Sequence, residues 1–333
     1  MRYYIFTHTD LDGAGSAAAY LVAKGLQPNN PSVTIVYVEP YNINSFIEEY
    51  VAYLEKGDTI AIMDIGVNPA IYNDLKDKLR KAFSKGVKIE WYDHHIWDEK
   101  WIKEIKEIGV TLHLDTSTCA TGVVARYSTR LNSSDDSAHY LTTLEKAVCA
   151  ADLWRWDHHL APKLFRIVTL NGNNGDKRRN MVVNKLATGI LWDEELESIL
   201  VEYVNEELKN YNKIDKGLVV VCREDCCIGL VMKERGPPTN SFVGSYMLSR
   251  FNIKVAVIAK SNGSISLRSR EVDVQKIALN MGGGGHPRAA GAKPHLGFLE
   301  KILLRINKKL FLRLLGRKIV SIAVREDLCR VRQ

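Results

Sequence analysis

The sequence predicts an α/β protein with an N-terminal doubly wound, mostly parallel sheet, a helical connector and a smaller C-terminal α/β domain. Three observations carry this. Over about the first 115 residues, short apolar strands alternate with helix-patterned segments, the rhythm of a parallel sheet covered on both faces. Residues 120–215 are almost wholly helical in spacing, and from Leu218 period-two strands return and lead into four consecutive glycines, Gly282–Gly285.

In order, strands are expected at Arg2–Phe6, Val33–Val38, Asp58–Met63, Val87–Tyr92 and Val110–Leu114. Between them, helices are expected at Leu11–Gly25, Ile43–Leu54, Pro69–Ser84 and Glu99–Ile108. The first is rich in alanine (Ala14, Ala17, Ala18, Ala19), which lets it lie close on a sheet, and Pro69 suits a helix start. Helical spacing continues through Ala120–Leu131, Thr142–Leu153, Leu160–Leu170, a Lys/Arg-rich segment near 176–185 and the long Asp193–Ile214, which reads as the connector. The C-terminal domain follows as strands Leu218–Cys222, Cys227–Met232, Val255–Ala259 and Ser264–Arg268 around a helix near Ser241–Arg250.

At 333 residues, 46% hydrophobic and 26% charged, the chain is long enough for about two domains with real cores. It opens on a strand, without a signal-peptide pattern or an apolar run of membrane length, so a cytoplasmic protein with no membrane partner is expected. The six cysteines are too irregularly spaced for a disulfide framework; buried core thiols are expected, with zinc at Cys222, Cys226 and Cys227 the minor alternative. The net charge of +7 is uneven: residues 301–333 hold ten Lys/Arg and two acids, so the remainder is close to neutral. That basic, amphipathic tail is expected either to pack on its own domain or to contact nucleic acid or protein.

Three expected strands end in metal-capable side chains. The first runs into His8, Asp10 and Asp12, the third into Asp64, and the fourth into Asp93, His94 and His95; Asp152 lies farther on, within a helix. If the strands are parallel, these groups converge outside their carboxyl ends, where open α/β sheets bind ligands. Oxygen donors with one or two imidazoles suit Mn²⁺ or Mg²⁺ better than a thiolate-preferring ion. Two such ions about 3.5–4 Å apart are the machinery of phosphoryl hydrolysis. The glycine run offers backbone amides to an anion, with His286, Arg288, Arg268 and Arg270 nearby as cationic donors.

His8-x-Asp10-x-Asp12-Gly13, Asp64, Asp93-His94-His95 and Asp152, in that order, resemble the motifs of the DHH phosphoesterase superfamily. Ser266-Leu267-Arg268-Ser269 followed by Gly282–Gly285, His286, Pro287, Arg288 and Gly291 resembles the DHH-associated C-terminal domain. The resemblance spans roughly residues 1–300 and points to the RecJ-like exonucleases and nanoRNases. It implies a DHH catalytic domain over 1–192, a helical linker over 193–216 and a DHH-associated substrate-binding domain over 217–300, and it does not cover the basic extension over 301–333. It also implies Mn²⁺-dependent phosphoester cleavage with two ions, Mg²⁺ or Co²⁺ being possible substitutes.

Carried over by position, Asp10 and Asp64 would hold one ion, and Asp12, Asp64, His94 and Asp152 the other. Asp93 and His95 are the catalytic candidates, His95 standing behind the ligands or touching the scissile phosphate. Gly282, Gly283, Gly284, Gly285, His286, Arg268 and Arg288 would grip the nucleotide end. The chain departs from many small members in carrying Phe6 where they have a ligand histidine, and His8 is the nearest substitute. The expected activity is removal of mononucleotides from one end of short single-stranded oligonucleotides. The alternatives are a cyclic or linear dinucleotide phosphodiesterase, a 3′-phosphoadenosine 5′-phosphate phosphatase, or a non-catalytic scaffold of a replication or repair complex. DNA or RNA preference, polarity and oligomeric state, a homodimer included, stay open at this stage.

Several residues have blander readings. Asp157-His158-His159 repeats the Asp-His-His letters but follows a helix, and reads as a loop. Trp91, Trp97, Trp154 and Trp156 read as core or rim packing rather than base-stacking platforms, and His113 as structural or substrate-proximal. Lys177, Arg178 and Arg179 read as a solvated face, with guidance of phosphates the minor alternative.

Overall fold

The computed structural model describes residues 1–128, 135–169 and 175–329, and the chain divides into two compact units, Met1–Leu200 and Val201–Gln333. The first unit opens with β1 (Tyr3–His8), α1 (Leu11–Lys24), β2 (Val33–Val38), α2 (Ile43–Val51), β3 (Thr59–Met63), α3 (Tyr72–Ser84), β4 (Lys88–Asp93), α4 (Glu99–Ile108) and β5 (Thr111–Leu114). The strands form one sheet, ordered β2-β1-β3-β4-β5, and every pairing is parallel. The strand order reverses direction between β1 and β3, and the crevice outside their carboxyl ends is the place such a fold offers a ligand.

Apolar periodicity explains the layers. Every residue of β3 is buried, as a strand covered on both faces must be. One face packs Phe6, Ile60, Ile62 and Trp91 against Ile47, Leu75, Leu79 and Ile105 of α2–α4. Each such side chain contributes about 1.5–3 kcal/mol on burial. The other face carries α1, whose Ala14, Ala17, Ala18, Ala19, Tyr20 and Leu21 have no exposure. It is enclosed by α5 (Ala120–Tyr127), α6 (Asp135–Asp152), α7 (Ala161–Val168) and α8 (Gly175–Ala187), and α9 (Glu194–Gly217) follows.

Helix boundaries differ from expectation in several places: α2 ends at Val51 rather than Leu54, α9 runs on to Gly217 rather than Ile214, and two helix starts move. Pro69 lies in the turn before α3, not in the helix, because Asn68 Oδ1 accepts from Ala70 N–H and Asn68 O from Ile71 N–H, closing a turn of their own. Among the described residues α6 begins at Asp135, earlier than Thr142. Residues 129–131, the end of the expected Ala120–Leu131 helix, and Leu170 lie outside the described residues.

The second unit comprises β6 (Val219–Arg223), β7 (Cys226–Met232), α10 (Asn240–Arg250), β8 (Val255–Ala259), β9 (Ile265–Arg268), α11 (Val274–Leu279), β10 (Gly284–His286), β11 (Ala289–Ala292), α12 (Phe298–Ile306) and α13 (Lys308–Arg325). Its sheet is ordered β10-β11-β9-β8-β7-β6, antiparallel except where β7 meets β8. The basic tail packs on its own unit: Phe311, Leu312, Leu315, Ile319 and Ala323 of α13 join Leu230, Val257 and Leu267 in one core. Gly316 makes this approach possible, since a Cβ there would stand 2.7 Å from Val221 Cγ2.

The cysteines depart from expectation. They are not free thiols but three pairs, Cys119–Cys149, Cys222–Cys227 and Cys226–Cys329, with Cα–Cα separations of 5.2, 4.1 and 5.5 Å. Spacing concealed them because two of the pairs join residues 30 and 103 apart in sequence, brought together by packing of α5 on α6 and of α13 on the β6–β7 hairpin. No described helix is long and apolar enough to cross a membrane.

Candidate metal centre

The site is built where β1, β3 and β4 stop. After β1 the chain turns sharply into α1. Asp10 caps that helix by accepting from Gly13 N–H at 3.0 Å, and Thr7 Oγ1 donates to Gly13 O at 2.6 Å. A Cβ on residue 13 would lie 2.2 Å from His8 O, so only glycine closes this turn. Asp12 then sits in the first turn of α1, fully enclosed. Its Oδ2 accepts from Ala120 N–H at 2.7 Å, and its Oδ1 from Thr121 N–H at 2.8 Å and Thr121 Oγ1 at 2.7 Å. The N-terminus of α5 thus holds the Asp12 carboxylate in one orientation.

After β3, Asp64 takes a left-handed backbone conformation, φ 56°, uncommon for a residue with a side chain and costing about 1–3 kcal/mol. Asp64 N–H donates to Tyr92 O at 3.0 Å, which fixes the turn. After β4, Asp93 is buried with both oxygens engaged: Oδ1 lies 2.8 Å from His95 Nδ1, and Oδ2 accepts from Trp97 Nε1–H at 2.7 Å. Asp152 arrives from the last turn of α6.

These side chains meet in three overlapping groups: His8, Asp10 and Asp64; Asp12, His94 and Asp152; and Asp64, His94 and His95, each with ligand atoms within 4.8 Å of one another. His8 Nδ1 is 2.9 Å from Asp10 Oδ2 and 3.4 Å from Asp64 Oδ2. His94 Nε2 is 3.4 Å from Asp64 Oδ1 and 3.8 Å from both Asp12 Oδ2 and Asp152 Oδ2. Phe6 is wholly buried in the sheet core, whereas His8 reaches the carboxylates.

The electrostatics are those of a site short of positive charge. Burial, together with the charges of Asp10 and Asp12, holds the Asp64 carboxyl well above its usual range. Burial and the carboxylates of Asp12 and Asp64 push Asp152 up to about 8. Asp12 is raised as well, mainly by burial. For Asp10, burial pulls upward, but the charge and hydrogen bond of His8 outweigh it and leave this carboxyl below its usual range. His8 is raised despite its burial, because Asp10, Asp64 and Glu39 surround it. Asp64 Oδ2 and Asp152 Oδ2 are buried and make no hydrogen bond. Enclosed, mutually repelling carboxylates with unsatisfied oxygens fit divalent cations, and the absence of thiolate among them favours a hard ion.

Two members of the site were not expected from sequence. Glu39, directly after β2, lies 3.3 Å from His8 Nε2 and accepts from Thr9 Oγ1 at 2.5 Å. Its signal was available, an acid at the end of another strand of the same sheet. Arg179, read as part of a solvated face, is buried: its Nε donates to Thr9 O at 2.5 Å, and its guanidinium stacks over Tyr37. Lys177 and Arg178 are exposed or half-exposed, because helical geometry turns only one residue of the triplet inward.

The remaining candidates fall elsewhere. Trp91 and Trp97 are core residues, packed edge to face at 4.7 Å, while Trp154 is 44% exposed and packs against Trp156 and Phe165. His113 stacks between Tyr92 and Tyr127. In the second unit, the glycine run is less open than four free amides. Gly282 N–H and Gly283 N–H donate to Leu279 O and Ala278 O at the end of α11, and Gly284–His286 form edge strand β10. His286 and Arg288 are exposed at the hairpin turn, and Arg268 is half-buried with its Nη2 donating to Ser241 Oγ at 3.2 Å.

A DHH family N-terminal domain matches residues 2–151 and a DHHA1 domain matches residues 239–310. The chain is 23% identical over 310 residues to oligoribonuclease NrnB of Bacillus subtilis (strain 168), covering 87% of this chain and 72% of that protein. Among solved structures it resembles exonuclease RecJ bound to manganese, with a TM-score of 0.56, 15% identity and coverage of 97% of this chain and 90% of that one. It also resembles an exopolyphosphatase-related protein from Bacteroides fragilis, with a TM-score of 0.54, 12% identity and coverage of 95% and 94%. At these identities the structural likeness establishes the fold.

Proposed function

Because the chain belongs to the DHH superfamily, with a RecJ-like fold, we propose that it is a Mn²⁺-dependent phosphodiesterase that removes mononucleotides from one end of short single-stranded oligonucleotides. The observation that carries this reading is the convergence of Asp10, Asp12, Asp64, His94 and Asp152 at the β1/β3 switch point, with two buried carboxylate oxygens that make no hydrogen bond.

In this proposal Asp10 and Asp64, completed by His8, hold one cation, and Asp12, Asp64, His94 and Asp152 hold the other. Two divalent cations bound there would supply the Lewis acidity and charge neutralisation that phosphoester hydrolysis needs. The rest falls to the chain's own groups. The amides of Ala120 and Thr121 keep Asp12 in place, so little reorganisation is required on binding. Asp93 is a positioning residue: its contact with His95 Nδ1 leaves Nε2 of that ring available to a phosphate oxygen. The same contact raises the pKa of His95, favouring a cationic N–H donor. His286, Arg288 and Arg268 are the groups expected to hold the terminal nucleotide.

The test is hydrolysis of end-labelled RNA and DNA ladders, two to about twenty-five nucleotides, with Mn²⁺ and with EDTA, beside cyclic di-AMP and 3′-phosphoadenosine 5′-phosphate. Stepwise shortening of the ladder is the expected result. Turnover of the dinucleotide or bisphosphate alone would replace this reading by a signalling or salvage role. No Mn²⁺-dependent turnover of any substrate would replace it by the scaffold.

A further inference from the structure

A second cationic site lies in the second unit, away from the glycine hairpin. A cavity of about 480 Å³ is lined by Ser261, Asn262, Lys293, His295, Lys301 and Arg305. Strand register fixes its place. In the β9–β11 pair, Ala289 faces Arg268 at one end and Ala292 faces Ile265 at the other. The cavity opens at the Ala292 end, beside Lys293 and the β8–β9 turn. Three residues of strand, about 10 Å, therefore separate it from Arg268 along the sheet.

Its charges are uncommitted. Among the described residues, Lys293, Lys301 and Arg305 form no ion pair or side-chain hydrogen bond. Two acids bonded to neighbouring segments are taken by amides: Glu300 Oε2 accepts from Gly297 N–H at 2.8 Å, and Glu234 Oε1 from Ser261 N–H at 2.9 Å. Past Arg305 the chain carries further cations at Lys308, Lys309, Arg313 and Arg317, all exposed, and no acid occurs between Lys301 and Arg325. Lys309, Arg313 and Arg317 follow at i, i+4 and so share one side of α13. Phe298, which stands three and seven residues before Lys301 and Arg305 on α12 and so shares a side with them, is 83% exposed.

We propose that this cavity and the cationic side of α13 bind the backbone of single-stranded nucleic acid, with Phe298 offering a stacking face to a base. Cations that track phosphates combined with an aromatic platform are the means by which single strands are held without sequence preference. An anionic membrane fits less well, because the apolar side of α13 is already spent in the core, and a surface-lying helix needs that side free. The proposal rests on the reading that oligonucleotides are the substrate, and it adds that strands long enough to reach the second site bind more tightly than dinucleotides.

The experiment compares wild-type protein with the Lys293→Gln, Lys301→Gln, Arg305→Gln triple variant. Fluorescence anisotropy of labelled single-stranded RNA of 2, 12 and 24 nucleotides would be followed in EDTA over a range of salt. Neutralising three phosphate contacts should lower the slope of log affinity against log salt by about 2 and weaken the longer strands about tenfold or more at low salt. Dinucleotide hydrolysis with Mn²⁺ should stay unchanged. Phe298→Ala should weaken the longer strands without changing the salt slope. Unchanged affinity and slope for the longer strands in the triple variant would overturn the proposal. So would wild-type binding of phosphatidylserine vesicles with none of the RNA. Failure of the catalytic reading shows separately, as absence of Mn²⁺-dependent hydrolysis by a protein whose binding in EDTA is still measured.

Discussion

The chain contains the letters Asp-His-His twice, and the two copies differ in everything except the letters. Asp93-His94-His95 closes β4, an interior strand of a parallel sheet whose last three residues are buried. There His94 comes within 3.4–3.8 Å of carboxylates delivered by Asp12, Asp64 and Asp152, and Asp93 is buried behind His95. Asp157-His158-His159 follows α6 in an exposed stretch. Asp157 pairs with Arg155 at 3.3 Å, His158 Nδ1 accepts from Leu160 N–H at 3.3 Å, and the two histidine rings stack on each other. A strand end in a parallel sheet is surrounded by other strand ends, so acids placed there accumulate. Asp152, in the last turn of α6, reaches those strand ends, but Asp157 and its two histidines lie past the end of that helix and belong to no such cluster among the described residues. Position in the topology, not the motif, makes a cluster.

The sharpest way to break this comparison is to empty both copies. Asp64→Ala combined with His94→Ala should lower Mn²⁺-dependent hydrolysis by about a thousandfold or more, while circular dichroism shows the fold intact. Asp157→Ala combined with His159→Ala should leave the rate within about twofold, as exposed substitutions do. Full activity in the first variant, or a large loss in the second, would reverse the assignment of the two copies.

A smaller effect is expected behind the ligands. Asp93→Asn keeps the shape but removes the negative partner of His95, and should cost about 10–100-fold in rate or metal affinity, measured by turnover and by Mn²⁺ titration. The same change at Asp157 should do nothing to either. Next comes Gly66→Ala. A Cβ there would stand 3.1 Å from His95 Cγ, so the ring must shift by a few tenths of an ångström. A loss of about two- to tenfold is expected in the rate, with little change in melting temperature.

The smallest effect separates the copies by pH. In metal-free protein, the hydrogen bond from Asp93 raises His95 above the ordinary histidine value of 6.5, whereas burial and the adjacent His159 lower His158. His95 therefore contributes stability that is present at low pH and lost as pH rises through its raised folded value. For His158 the sign is opposite: burial of the neutral ring costs stability as pH falls through the ordinary value. Imidazole NMR titration should place the two rings on opposite sides of 6.5, and Asp93→Asn should bring His95 back toward it.

Much of this was legible beforehand because periodicity and strand-end chemistry are local. The parallel sheet, the five strand positions and the set Asp10, Asp12, Asp64 and His94 follow from apolar alternation that stops at acids and imidazoles, whereas Asp152, within a helix, rests on the resemblance in motif order. What stayed hidden depends on partners distant in the chain. Glu39 and Arg179 join the site only because β2 lies beside β1 and α8 reaches the Thr9 carbonyl. The cysteine pairs depend on helix packing across 30 and 103 residues. The glycine run looked like four open amides, but the end of α11 takes two of them.

By itself, then, the sequence determined the fold class, the order of the strands and helices of the parallel sheet and which side chains could hold cations, since these rest on local pattern and on the chemistry of single residues. Only the tertiary structure decided that His8 rather than Phe6 faces the carboxylates, that Asp93 stands behind His95, and that the basic tail buries one side while presenting a cationic other. Those outcomes depend on which way each side chain points once strands align and helices pack, and that direction is set by neighbours the local sequence does not contain.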